Sequence, residues 1–375
     1  MNVREDIKAE ADNLGFVLSG ITSAVSPPHY DVYLSWIQKG WHGSMHYLSA
    51  EHSLNRRKNP EQILPGIRSI LSLAYPYPSP IPGTQPGLDD SLGRVAAYAW
   101  ETDYHDRLKS ILEVLITRVK KIVGKPIRAK GYSDTGAILE KDFAERAGLG
   151  WIGKNTSLIN PEIGSFFFLA EVLLDYDLDP DIPFSKEYCG RCQRCINACP
   201  TKCIQPDRTI NASECIAYLT IEHHGTIRPD LRQKIGNWVF GCDVCQIVCP
   251  WNQHANQRNS FDSMVNPIFI PLLNDLSMTE SQFSAQYDQS PIKRARRDGF
   301  LRNLIIAIGN SHDPKSIPAL VQVLQTEPDP LLRGHAAWAL GEIAIPAAKS
   351  RLEMVIKGES DPFVIQEITE ALNRF

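Results

Sequence analysis

The sequence holds little that marks an exported or membrane-bound protein. It begins MNVREDIKAEADN, polar and mixed in charge, so no secretory leader is visible. Apolar runs are short: Phe166 to Ala170 stops at Glu171, far below the roughly 20 residues that span a bilayer. Neither sign of charge is in surplus. With 39 Lys and Arg against 43 Asp and Glu the net charge is −4, which argues against wholesale attraction to nucleic acid but leaves room for a local basic patch. A cytoplasmic, membrane-free location is expected. That expectation gives meaning to the 9 cysteines, because clustered thiols in a reducing compartment bind metal more often than they pair as disulfides.

A chain of 375 residues is long enough for two or three domains, and its texture changes along its length. Residues 1–180 mix helical and strand patterns. Asp6 to Asn13 reads as a helix, Phe16 to Leu18 as the start of a strand, and Ser69 to Tyr75 as a buried strand before the Pro-rich stretch Tyr75 to Gly83. Asp106 to Val123 has helical spacing, with Leu108, Ile111, Leu112, Leu115 and Val119 on one face, and Ser165 to Leu174 reads as another strand. The class expected is a multi-domain α+β or α/β protein. Residues 181–255 hold every cysteine and 256–289 read as a linker. Residues 290–375 repeat: Pro314 with Pro346, Leu320 with Leu352, Val323 with Val355, Asp329-Pro330 with Asp361-Pro362 and Leu340 with Leu372 all stand 32 apart. Each unit reads as two amphipathic helices, so this tail resembles HEAT repeats, two and a partial one.

Cys189, Cys192, Cys195 and Cys199-Pro200 spell C-x2-C-x2-C-x3-C-P. In this bacterial-ferredoxin run the first three thiolates hold one four-iron cluster and the fourth reaches another. A tight loop wraps three corners of the cube, while the fourth cysteine lies a helical turn further on and points away. A second set, Cys242, Cys245 and Cys249-Pro250, lacks its leading cysteine; Cys215, 27 residues before Cys242, is the candidate replacement. The crosswise rule gives Cys189, Cys192, Cys195 and Cys249 to one [4Fe-4S] cluster, and Cys199, Cys215, Cys242 and Cys245 to the other. Zinc is the rival, since paired C-x2-C units also make tetrahedral sites. It explains neither the extra cysteine after each pair nor the two Cys-Pro steps. Cys203 is left over and reads as a core thiol.

The segments GYSDTGAILEKDFAERAGLGWIGKN (Gly131 to Asn155) and GRVAAYAWETDYH (Gly93 to His105), followed by the dicluster block and the repeat tail, resemble the epoxyqueuosine reductase family over essentially the whole chain. That family is related to reductive dehalogenases. The resemblance implies a cobalamin-binding catalytic domain over 1–180, a ferredoxin-like dicluster domain over 181–255 and a HEAT-like domain over 290–375. It implies reduction of epoxyqueuosine to queuosine at the wobble position of tRNA, the last step of queuosine biosynthesis, with an external electron donor. Reduced cobalamin is a nucleophile able to attack the epoxide, and the acid that meets the opened oxygen falls on Asp134. A carboxyl can do this only where its site keeps it protonated. Read from residues alone, Asp134 is instead an N-cap for a helix from about Thr135 to Ala147. By family position, cobalamin contacts fall on Arg57, Ala97, Asp134, Leu158 and Leu169, with Lys154 and Asn155 close by. The cobalt-ligand motif D-x-H-x-x-G is absent; Asp103-Tyr-His105-Asp-Arg-Leu108 comes nearest, so no protein histidine is implied on cobalt. Cys203 departs from the small residue usual in the family.

For tRNA phosphates the richest cluster is Lys293, Arg294, Arg296 and Arg297 with Arg302, and a second comprises Arg228, Arg232 and Lys234. Tyr98, Trp100 and Trp251 are candidates to stack on a flipped base. Two rivals are a reductive dehalogenase, disfavoured by the missing twin-arginine signal, and a ferredoxin-like electron carrier, disfavoured by the full-sized first domain.

Overall fold

The structure is a computed structural model describing residues 2–80, 90–258 and 267–375. The end of the Pro-rich stretch and part of the expected linker lie outside these residues. In chain order the strands are β1 (Leu18–Ser23), β2 (Ser69–Pro76), β3 (Leu92–Val95), β4 (Ala129–Tyr132), β5 (Trp151–Ile152), β6 (Leu158–Ile159), β7 (Phe167–Leu174), β8 (Trp238–Phe240) and β9 (Phe269–Pro271). Among the described residues, no helix is long and apolar enough to cross a membrane.

Two compact units emerge: residues 1–81, 101–213 and 244–264, and residues 82–100, 214–243 and 265–375. They do not follow the boundaries expected from sequence. The cysteine-bearing stretch is divided between them, because β3 and β9 join β8 in one three-stranded sheet. The expected linker likewise holds β9 and the helix Glu280–Tyr287.

The first unit is built on a sheet of order β1-β2-β7-β4. Every pairing in it is antiparallel, so of the two classes expected this unit is α+β. Alternation sorts β2 and β7 into two faces. On one, Leu71, Leu73, Val172 and Leu174 pack against the helices Val3–Asn13 and Tyr104–Val123, whose buried stripe is Leu108, Leu112, Leu115 and Val119. Asp103 caps the longer helix and Gly124, in the left-handed region, ends it. On the other face Ile70, Ala74 and Leu173 meet Ile63, Leu64, Phe143 and Ala144, the last two from the helix Glu140–Arg146. Ser72 and Glu171, a cross-strand pair, share that second face.

In the second unit the helices Arg296–Ser311, Ile317–Thr326, Pro330–Ile343, Pro346–Val355 and Pro362–Leu372 form the array that the 32-residue period predicts. Asp329 and Asp361 cap two of them, each followed by Pro at the first helical position. The period also fixes the packing. A Cβ on Gly309 would lie 3.1 Å from Ala339, and one on Gly341 would lie 2.7 Å from Ala371, the same contact 32 residues on. The first helix is sewn to the 214–243 segment by Asn303, which donates to the carbonyls of Thr220 and Val239, and by Asn310, which donates to those of Arg232 and Gly236.

Candidate active site

β4 carries the chain to Ser133, whose hydroxyl donates to the Leu169 carbonyl on β7 at 2.8 Å and ties the next turn to the sheet. Asp134 then adopts φ +60°, a left-handed conformation unfavourable for most residues with a side chain. The expected helix begins only at Glu140, with Leu139 at its N-cap, so Asp134 does not cap it. Instead the Asp134 N–H donates to Glu140 Oε1 at 2.7 Å. Its Oδ2 accepts from the Tyr104 hydroxyl at 2.8 Å and stands 3.6 Å from His105 Nε2. His105 Nδ1 lies 2.8 Å from Oδ1 of the buried Asp103. Two carboxylates thus bracket one imidazole. Tyr104 is held by a parallel stack on Phe168 at 4.1 Å.

The side chains of Asp134 and Lys141 reach solvent, yet burial opposes the charge on both. Accessible atoms that are nevertheless ringed by protein describe a recess. Within it, the bond to His105 holds the Asp134 carboxyl below its ordinary pKa against burial. Burial also opposes charge on His105, but the bonds to Asp134 and Asp103 outweigh it and raise the imidazole. Glu140 is pushed up to about 8, first by burial and then by the neighbouring Asp134 charge. The downward direction on Asp134 runs against the expectation that it stores a proton itself. Glu140 thus holds its proton at neutral pH, His105 is shifted towards its protonated form, and Asp134, between them, accepts from the Tyr104 hydroxyl. Behind Glu140, burial raises Glu171, which accepts from Ser72 Oγ at 2.6 Å.

Of the expected cobalamin contacts, Arg57 fits best. It is 8% exposed, lies over the Tyr33 ring at 5.5 Å, and its Nη1 is buried with no hydrogen-bond partner. Its charge is felt at Glu140, which places it beside the recess. Leu158 and Leu169 pack in one apolar cluster. Ala97 belongs to the second unit, where its N–H is already given to Asp243 at 2.7 Å. Lys154 and Asn155 are engaged elsewhere. Lys154 Nζ donates to the carbonyls of Gly190 (2.7 Å) and Cys192 (2.9 Å), and Asn155 Nδ2 to that of Cys245. Both clamp cysteine loops.

Cys189, Cys192, Cys195 and Cys249 gather in the first unit. Burial, then repulsion from Cys189, Cys249 and Cys192, pushes the Cys195 thiol up, and Cys249 is raised by burial, Cys189 and Cys192. Two thiols held back from ionisation, Cys195 and Cys249, in a group of four cysteines suit a site where iron supplies the opposing charge. A zinc site needs sulfurs about 3.8 Å apart, given Zn–S bonds of about 2.3 Å. Among the described residues no three cysteine sulfurs come within 4.8 Å of one another; the group that does is His29, Asp142 and Glu145, where His29 is bonded directly to Asp142. Cys199 and Cys245 also lie in the first unit, Cys215 and Cys242 in the second. Cys203 is buried, its sulfur 3.5 Å from that of Cys199.

The basic residues divide sharply. Arg302 is fully buried and donates to the carbonyls of Leu219, His223 and Gly225 at 2.6–2.7 Å. Arg232, also fully buried, forms a two-bond pair with Glu367. Neither can meet a phosphate, and both are withdrawn from the expected patches. Arg297 is largely covered and paired with Glu327. Lys293, Arg294, Arg296, Arg228 and Lys234 are exposed; Arg294 pairs with Glu222, and Arg228 with Asp230. Trp100 is buried with its indole N–H given to Val95, which removes it as a stacking platform. Tyr104, His105 and Glu140 were missed by sequence reasoning, although Asp103-x-His105 stood in plain view.

Three family models match the chain: "Epoxyqueuosine reductase QueG, DUF1730" over 57–135, "4Fe-4S double cluster binding domain" over 188–252 and "HEAT repeats" over 293–373. Epoxyqueuosine reductase of Pseudomonas aeruginosa is 37% identical over 90% of this chain and 93% of its own length. That of Salmonella typhimurium is 34% identical over 94% of each. A crystal structure of an epoxyqueuosine reductase with an epoxyqueuosine-modified tRNA-Tyr stem loop matches with a TM-score of 0.90 at 29% identity, over 99% of this chain and 98% of that one. The Bacillus subtilis enzyme, seen with its catalytic aspartate loop swung out of the active site, matches with the same TM-score and identity over 100% and 99%. These matches and the cysteine geometry define an iron–sulfur oxidoreductase. The chain belongs to the epoxyqueuosine reductase family.

Proposed function

We propose that the chain reduces epoxyqueuosine to queuosine at the wobble position of tRNA, using two [4Fe-4S] clusters and a cobalamin. The observation that carries the reading is the Asp103–His105–Asp134 array with Tyr104 and Glu140 in one recess. Removing an epoxide oxygen as water consumes two electrons and two protons. An external one-electron donor supplies the electrons through the clusters, and Glu140, pushed up to about 8, and the raised His105 imidazole are the proton sources within reach of Asp134. As negative charge develops on the opened oxygen, Asp134 passes it a proton drawn from His105, and Tyr104 steadies the carboxylate. When bound, a cobalamin supplies a low-valent cobalt nucleophile able to open an epoxide. Arg57, with its unpartnered Nη1, would hold a carboxamide oxygen of the corrin rim, and Leu158 and Leu169 would give it apolar contact.

Cys189, Cys192, Cys195 and Cys249 hold one cluster and Cys199, Cys215, Cys242 and Cys245 the other. The exposed cations Lys293, Arg294, Arg296, Arg228 and Lys234 meet tRNA phosphates. The protein works in the cytoplasm, where its tRNA is. An electron carrier has no use for a bracketed imidazole, and a dehalogenase none for the exposed cations. The test is anaerobic reconstitution with iron, sulfide and cobalamin, then incubation with a modified anticodon stem loop and a one-electron reductant. Mass spectrometry is expected to show loss of one oxygen. An unchanged stem loop, with about eight irons bound, overturns the assignment. Cys215→Ala and Cys242→Ala are expected to remove one cluster, and Cys249→Ala the other, by iron count and EPR.

A further inference from the structure

The segment Gly150–Asn155 does more than join two strands. A Cβ on Gly150 would lie 2.2 Å from the Ile159 carbonyl, and one on Gly153 2.5 Å from the Ile159 side chain, so only glycine lets β5 lie this close to β6. That tight pairing, Trp151 opposite Ile159, fixes the Trp151 ring. It is 1% exposed and walled by Phe184 at 5.8 Å, Tyr188 at 5.2 Å and Trp251 at 5.3 Å. Its one polar atom, Nε1–H, donates to Cys189 Sγ at 3.5 Å. Three residues on, the Lys154 ammonium donates to the carbonyls of Gly190 and Cys192. An indole N–H and a cation from one hairpin therefore converge on the Cys189–Cys192 loop.

We infer that Trp151, aided by Lys154, tunes the cluster held by Cys189, Cys192, Cys195 and Cys249, raising its reduction potential. The inference rests on the cluster assignment above. Reduction adds one electron, and so one negative charge, to iron and sulfur together. A donor on a ligand sulfur and a positive charge beside the loop both stabilise that added charge more than the oxidised state. The aromatic wall excludes water, which strengthens both effects. Gly190 and Arg191 in the same loop are exposed, so an external donor can approach the cluster whose affinity for an electron is raised.

The test is an EPR-monitored redox titration of reconstituted parent, Trp151→Phe and Lys154→Met. Phenylalanine keeps an apolar ring but has no N–H. With about eight irons retained, Trp151→Phe is expected to favour the oxidised form of this cluster by roughly tenfold, about 59 mV for one electron, and to leave the other cluster unchanged. Lys154→Met shifts it in the same direction. An unshifted potential at full loading overturns the inference, and so does an equal shift of both clusters. Where a variant fails to load, the parent grown with indole-15N tryptophan gives a second reading. Its reduced cluster is expected to show a 15N coupling by pulsed EPR that persists in Trp251→Phe; no coupling overturns the inference. A parent that binds zinc and no iron removes the cluster assignment itself, and is recognised by having no cluster spectrum to titrate.

Discussion

The recess around Asp134 and the segment from Lys293 to Arg302 are both rich in charge, yet they treat it in opposite ways. In the segment, each deeply buried cation is satisfied. Arg302 donates to three carbonyls, and burial lowers its pKa to about 9, which leaves it charged at neutral pH. In the recess, Arg57 keeps a buried Nη1 without a partner, Glu140 is held as the neutral acid, and Asp134 sits in a left-handed conformation. A satisfied buried charge is a fastener. Unmet polar groups and local strain in one place mark a site awaiting something else.

The contrast is sharpest at Asp134. Asn tolerates the left-handed region well, so Asp134→Asn is expected to leave thermal stability nearly unchanged while lowering turnover by about a hundredfold to ten-thousandfold. Stem-loop turnover and a melting curve on the same preparation check both halves. If melting falls and turnover holds, Asp134 is structural after all.

Arg302→Met should do the reverse. Three carbonyls lose their donor in a buried place, at a cost of about 3 kcal/mol or more in urea unfolding. Arg57→Met is expected to cost under about 1 kcal/mol, since its Nη1 has no bond to lose, but to weaken cobalamin binding about tenfold or more. Equal destabilisation by the two variants would erase the distinction between fastener and site.

The pH response follows from Glu140. Raised to about 8, it is protonated in the folded state from its ordinary range up to that value, so its burial costs stability as pH rises through that window. As a donor it is spent above about pH 8, and turnover should fall there by about tenfold per unit. In Glu140→Gln this limb should vanish at a lower plateau. A pH profile identical to that of the parent would remove Glu140 from the proton path.

The smallest effect concerns RNA. Neutralising Lys293, Arg294 and Arg296 is expected to lower the salt dependence of stem-loop binding by about one unit of slope per lost phosphate contact. It should not alter the reaction of a small epoxide nucleoside. Unchanged affinity across a salt series would move the RNA face towards Arg228 and Lys234.

The sequence by itself determined whatever is local or periodic. The cysteine spacing named the clusters, because a cube's corners demand short fixed steps. The 32-residue period named the helical array, because each unit buries only against its neighbour. The Leu108 to Val119 stripe named its helix. Tertiary structure decided what depends on partners far along the chain. Arg57, Arg232, Arg297 and Arg302 are alike as letters. Only the fold shows that Glu367, Glu327 and the 219–225 carbonyls satisfy three of them and leave the Arg57 Nη1 unmet. Lys154 and Asn155 look free until the Cys189 and Cys245 loops fold back on them. Tyr104 and His105 reach Asp134 only because the long helix packs beside β4 and β7. A charge takes its role from its surroundings, and those are assembled by long-range packing that no local pattern encodes.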